Sequence, residues 1–81
     1  MNEEFLLALA LAKKFNKPFR RTSWNEDRIC VLANDRIEII SIMLRDSLKY
    51  SYLYFDDYLA TDWEVLFDFD WNDLKRGITI T

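Results

Sequence analysis

From Trp63 to Trp71 the chain alternates. Trp63, Val65, Phe67, Phe69 and Trp71 occupy one set of positions and Glu64, Asp68 and Asp70 the other, with Leu66 the exception. Side chains alternate faces along a strand, whereas a helix would scatter these aromatics around its circumference. The pattern predicts a strand over 63–71, with an aromatic face turned to the core and an acidic face turned to solvent. Ahead of it, Phe55 to Ala60 reads as a short helical turn and Thr61–Asp62 as the break before the strand.

The N-terminal part reads as a helix from Glu3 to Phe15. Ala and Leu dominate it, Asn2 can cap it, Glu3 and Glu4 suit its positive end, and Lys13 and Lys14 suit its negative end. Phe5, Ala8, Leu9, Leu11, Ala12 and Phe15 share one broad apolar face, with Leu6 and Ala10 outside it. Pro18 ends the helix, because proline disfavours helical geometry in the residue before it. Phe19–Arg21 is a short strand, and residues 22–27 are a polar turn holding one large aromatic, Trp24. Arg28–Ala33 is an apolar central strand. Asn34–Asp35 is a two-residue turn, and Arg36–Leu44 is the partner strand, with apolar residues on both faces. After a turn at residues 45–47, Leu48–Tyr54 reads as a further strand with Tyr50, Tyr52 and Tyr54 on one face, packed or free to stack on a planar ligand. Residues 72–77 turn, and Ile78–Thr81 adds a short final strand.

The expected fold is α+β: an N-terminal helix packed on a twisted antiparallel sheet of about five strands, in a single domain over 1–81. With 51% hydrophobic and 16% aromatic residues in 81, either the core is dense or some apolar surface closes a subunit interface. One Gly and one Pro leave little scope for flexible linkers.

Several chemistries are excluded by residue type. The absence of histidine removes Ser-His-Asp and Cys-His nucleophile systems and the commonest transition-metal ligand. One cysteine, Cys30, forms no internal disulfide or conventional zinc site; it sits mid-strand, reads as a buried inert thiol, and fits a reducing cytoplasm. A single Gly rules out a glycine-rich phosphate loop. Asp68 to Asp73 begins like a calcium loop, but Asp73 stands at the tight-turn position and Thr79 at the position that needs a bidentate glutamate. No pair of carboxylates is singled out for hydrolysis. The chain therefore reads as non-enzymatic, with no catalytic residue, metal or cofactor. A net charge of −3 gives no electrostatic case for direct nucleic-acid binding. The short N-terminal apolar run, followed by lysines, is neither a signal peptide nor a membrane span.

Four pieces, taken in order, resemble one family: a helix ending Leu11-Ala12-Lys13-Lys14; Lys17-Pro18-Phe19-Arg20-Arg21; Ser23-Trp24-Asn25; and Asp57-Tyr58-Leu59-Ala60-Thr61-Asp62-Trp63-Glu64-Val65. Together they resemble the Thoeris anti-defense protein 2 family of small phage and prophage proteins, over residues 1–65. That resemblance implies an α+β fold, homo-oligomers in the host bacterial cytoplasm, and non-catalytic sequestration of a cyclic nucleotide immune signal in pockets between subunits. By motif it implies Arg21, Trp24, Asn25 and Asp62 as ligand-binding residues. Read physically, Trp24 either stacks on the ligand or packs the helix on the sheet, and Arg21 either meets a phosphate or pairs with Glu26 or Asp27.

The sequence departs from the family pattern in having Asn16 where a glycine is usual, Glu26-Asp27 after the Trp-Asn pair, a shortened middle segment and a tail beyond Leu66. The same family includes anti-CRISPR members. The alternative is thus an inhibitor of a host defence protein, bound through an acidic, nucleic-acid-mimicking face of Glu64, Asp68 and Asp70.

Overall fold

The structure, a computed structural model, describes residues 3–33, 36–44, 46–48 and 52–72. Helix α1 spans Phe5–Phe15. The strands are β1 (Phe19–Arg21), β2 (Arg28–Ala33), β3 (Arg36–Ser41), β4 (Asp46–Ser47) and β5 (Trp63–Val65), with helix α2 (Phe55–Leu59) between β4 and β5. All pairings are antiparallel, in the order β4-β3-β2-β1-β5. The expected α+β class holds. Four strands have three residues or more; β4 adds only two at one edge.

α1 begins two residues later than its composition suggests. The backbone of Glu3 exchanges hydrogen bonds with Trp63 at 2.7 and 3.1 Å, so this residue is extended and prolongs the sheet beyond β5. Glu4 is the N-cap, while Asn2 lies outside the described residues. At the other end Asn16 has a left-handed φ of 54° and its N–H reaches the Ala12 carbonyl. This conformation favours Gly and tolerates Asn best among other residues, so Asn16 closes the helix without a glycine.

Two apolar clusters lie on opposite faces of the sheet, because alternate residues of β2 and β3 point opposite ways. On the α1 side, Phe5, Ala8 and Ala12 of the helix meet Phe19, Cys30, Ile39 and Trp63. On the back, Ile29, Val31 and Ile40 are buried beneath Ile42, Leu66, Phe69 and Trp71. The expected covering of both faces of the 36–44 segment is met at Ile37, Ile39, Ile40 and Ile42. The strand itself stops at Ser41. There Asp27 takes the Ser41 hydroxyl at 2.5 Å and the Met43 N–H at 2.6 Å, and its carbonyl takes the Ile42 N–H at 2.8 Å. These bonds turn the chain and leave Met43 and Leu44 exposed.

Two expected strands are corrected. The alternating run from Trp63 pairs only as far as Val65. The next residue, Leu66, gives its N–H to the Pro18 carbonyl at 2.9 Å, but Pro18 has no N–H to return, so the ladder has no template to continue on. The chain turns at Phe67–Asp68, and Phe69 and Trp71 pass to the back face rather than sharing the face of Trp63. This strap is tied to the α1–β1 connection: Lys17 Nζ donates to the Phe69 carbonyl at 2.7 Å, and Trp71 Nε1 donates to the Asn16 carbonyl at 2.7 Å.

The tyrosine strand also fails to form over its described part. Leu48 adds one bond to the Ile39 carbonyl at 2.8 Å, but residues 52–54 belong to no strand. Tyr54 instead precedes α2. Its N–H goes to the Asp57 carboxylate at 2.8 Å, and its carbonyl takes the Asp57 and Tyr58 N–H groups, so its ladder groups are spent on the helix. Tyr50, the Asn34–Asp35 turn and the expected 78–81 strand lie outside the described residues.

Candidate functional site

The two sequence motifs, far apart in the chain, meet in one place. β1 and β5 pair with Arg20 opposite Glu64 and Arg21 opposite Trp63. The Arg20 Nε lies 3.3 Å from Glu64 Oε1 across the ladder. Arg21 holds two carboxylates: its Nε donates to Asp62 Oδ1 at 2.8 Å and its Nη1 to Asp57 Oδ1 at 2.9 Å. The Thr22 hydroxyl adds a bond to Asp62 Oδ2 at 3.1 Å. Trp24 sets its ring edge-to-face on Trp63, with centroids 5.4 Å apart and planes at 71°.

Asp57 organises this junction. It is the buried acid of α2, and beyond the bonds to Arg21 and Tyr54 its carbonyl accepts the Trp63 indole N–H at 2.7 Å. Trp63 is fully buried among Phe5, Phe19 and Trp24, all at edge or tilted angles. Asp62 is held below the usual carboxylate range. Its partial desolvation pushes upward, but the hydrogen bonds from Arg21 and Thr22 and the charge of Arg21 outweigh it.

Of the four residues implied as ligand-binding, Arg21 and Asp62 are brought together as partners. Arg21 therefore pairs with Asp62 and Asp57 rather than with Glu26 or Asp27. Trp24 is half-buried against the α1-side cluster. Asn25 is exposed and its side-chain oxygen takes the Asp27 N–H at 3.0 Å, a local turn bond. The implied acidic face does not form as a strand face. Glu64 is on β5 and bonded to Arg20, whereas Asp68 and Asp70 lie past the strand's end, both exposed. Asp70 caps the Asn72 N–H at 2.9 Å.

A different place offers a recess. Ile37 and Ile39 of β3, Tyr52, Leu53 and Tyr58 line an open hollow of about 210 Å³. Pockets for drug-sized ligands run to roughly 300–1,000 Å³, so within one copy this one takes only a fragment of such a ligand. Among the described residues, no charged side chain lines it. Around it the segment 52–59 is unusually apolar and open: Tyr52 is 65% exposed, Tyr54 73%, Phe55 81% and Leu59 69%. The sequence signal for this surface was the tyrosine alternation, read there as a strand. The second signal, unused, is Phe55, Tyr58 and Leu59 at helical i, i+3, i+4 spacing.

Among the described residues, no group of His, Cys, Asp and Glu is arranged to hold a metal ion, and no helix is long and apolar enough to cross a membrane. Compared with known proteins, the chain matches no family model, no curated protein and no solved structure.

Proposed function

We propose that this chain is a counter-defence protein that acts by binding, without a catalytic step, and that its ligand is a cyclic nucleotide immune signal. It works as a homo-oligomer in the bacterial cytoplasm. One observation carries the reading: of the pieces on which the resemblance to the Thoeris anti-defense protein 2 family rests, Phe19–Arg21 and Trp24 lie directly against Asp57–Val65, through the β1–β5 ladder, the Arg21 bonds to Asp57 and Asp62, and the Trp24–Trp63 ring contact. In this reading Arg21 shapes the site, since its guanidinium is already held by two carboxylates. Trp24 and Asn25 offer the ligand an aromatic edge and an amide.

A thermal-shift series with cyclic ADP-ribose isomers and cyclic dinucleotides tests this. A rise in melting temperature with one of them, lost in Trp24→Ala, supports it. No shift with any sinks it.

A second reading is an inhibitor of a basic host defence protein, of the anti-CRISPR kind. It is favoured by the 52–72 segment, which has six carboxylates and no Lys or Arg, with Asp68 and Asp70 exposed. Co-purification with such a host protein, weakened by joint Asp68→Lys and Asp70→Lys, is its expected result. Unchanged binding in the double variant removes the acidic face from it.

A further inference from the structure

We propose that the aromatic surface built from Tyr52, Tyr54, Phe55, Tyr58 and Leu59 is the face on which a second copy of this chain docks. The proposal rests on the oligomeric part of the reading above and is independent of the ligand.

The five side chains form one surface by local geometry. Phe55, Tyr58 and Leu59 lie at i, i+3 and i+4 of α2 and so share a side, opposite the buried Asp57. Tyr52 and Tyr54 precede it, both exposed, while Leu53 between them packs against the α1-side cluster. α2 is not a loose appendage. Asp57 is bonded to Arg21, to the Tyr54 N–H and to the Trp63 indole, and Tyr58 sets its ring on Phe5 with centroids 5.0 Å apart. The exposed rings are thus presented on a fixed support, which lowers the entropy lost on docking.

The size of the surface indicates what covers it. A large side chain of this kind offers roughly 150–250 Å², so exposures of half to four-fifths over five residues leave on the order of 600 Å² of exposed surface, mostly apolar but including three tyrosine hydroxyls. That is the upper end for the largest patch on an ordinary monomer, about 300–600 Å². It approaches the ~800 Å² per partner of a stable protein interface.

Charge then selects the partner. Between Tyr52 and Thr61 the only charged residues are Asp56 and Asp57, and Asp57 is buried and paired with Arg21. Asp56 is the single exposed charge, too little to recruit a basic protein or to repel a two-fold copy. A near-neutral aromatic patch is self-complementary, the requirement for an isologous dimer, and homodimer interfaces are the more apolar class. The open hollow beside Tyr52 and Tyr58 gains from the second copy the wall it lacks.

The test is sedimentation of the full chain, without nucleotide, over a hundredfold range of concentration, beside Tyr54→Lys and Phe55→Lys. Both residues are largely exposed, so the variants keep the fold, checked by circular dichroism. The expected result is a dimer for the parent and at least a tenfold weaker association for each variant. A parent that stays monomeric throughout overturns the proposal and leaves the face to a foreign partner. A dimer indifferent to both substitutions also overturns it, by placing the interface elsewhere. Because no nucleotide is present, a failed thermal shift with an intact, lysine-sensitive dimer counts against the ligand alone.

Discussion

Arg21 Nη1 lies 2.9 Å from Asp57 Oδ1, joining the last residue of β1 to the one buried acid of α2. With the second bond to Asp62 at 2.8 Å, one guanidinium fastens the helix, the break after it and the sheet. The planar fork of Arg suits this, since Nε and Nη1 donate to two different acceptors.

Arg21→Ala leaves Asp57 inside the fold without its cation. The expected loss is about 1–3 kcal/mol, the cost of stranding a buried polar group. Arg21→Lys recovers only part of it, because one ammonium cannot reproduce the fork. Asp57→Asn in the Arg21→Ala background recovers part as well. Denaturant unfolding of the three variants measures this; full stability in Arg21→Ala would mean that the clamp contributes nothing.

Acid should weaken the fold through Asp62 and Asp27. Both are held below their ordinary pKa: Asp62 by Arg21 and Thr22 against its desolvation, Asp27 first by the Ser41 hydroxyl and then by the Met43 N–H. With a lower pKa in the folded state, the unfolded chain takes up protons first as pH falls. The contribution is complete at neutral pH and is lost as pH drops through about 4 and below. Urea midpoints against pH should show this limb, and Asp62→Asn should flatten it while lowering the plateau.

Cys30 should resist modification in the folded protein. It is fully buried in β2, and burial, aided by the negative charge of Asp57, pushes its thiol up to about 12. At mildly alkaline pH almost no thiolate forms there. A thiol-reactive chromophore should label it only as fast as the chain unfolds, so the rate should rise with denaturant. Fast labelling without denaturant would contradict the assigned burial.

The strap from Leu66 to Trp71 should be needed for the back face. Phe69 and Trp71 pack on Ile29, Val31 and Ile40, with rings 5.3 Å apart. Phe69→Ala with Trp71→Ala is expected to cost about 2–4 kcal/mol from the apolar area lost by two half-buried rings. It should also raise the fluorescence of a hydrophobic dye in the folded state. A double variant as stable as the parent, with no added dye binding, would show that the strap is dispensable.

Local sequence signals carried much of this fold. The helix face of Phe5, Ala8 and Ala12, the β2–β3 pair, the short α2 turn and the buried Trp63 follow from spacing and residue type, because each depends on neighbours three or four residues away or on simple alternation. The length of β5 did not follow. Its alternation runs to Trp71, but pairing needs a partner, and a proline, Pro18, stands just before the partner strand. The described end of the tyrosine stripe forms no strand for a related reason: Asp57, three residues on, claims the N–H of Tyr54.

The candidate site divides the same way. Residue types alone excluded histidine-based catalysis and a glycine-rich phosphate loop, while Arg21, Trp24, Asn25 and Asp62 were named only through the family resemblance. Only the tertiary structure decided that Arg21 is held by Asp57 and Asp62, that Trp24 leans on Trp63, and that Tyr52, Tyr54 and Phe55 stand in solvent. Alternation tells which side chains share a face; it does not tell which backbone groups find partners, and here those partners determine where each strand stops and which aromatics remain uncovered.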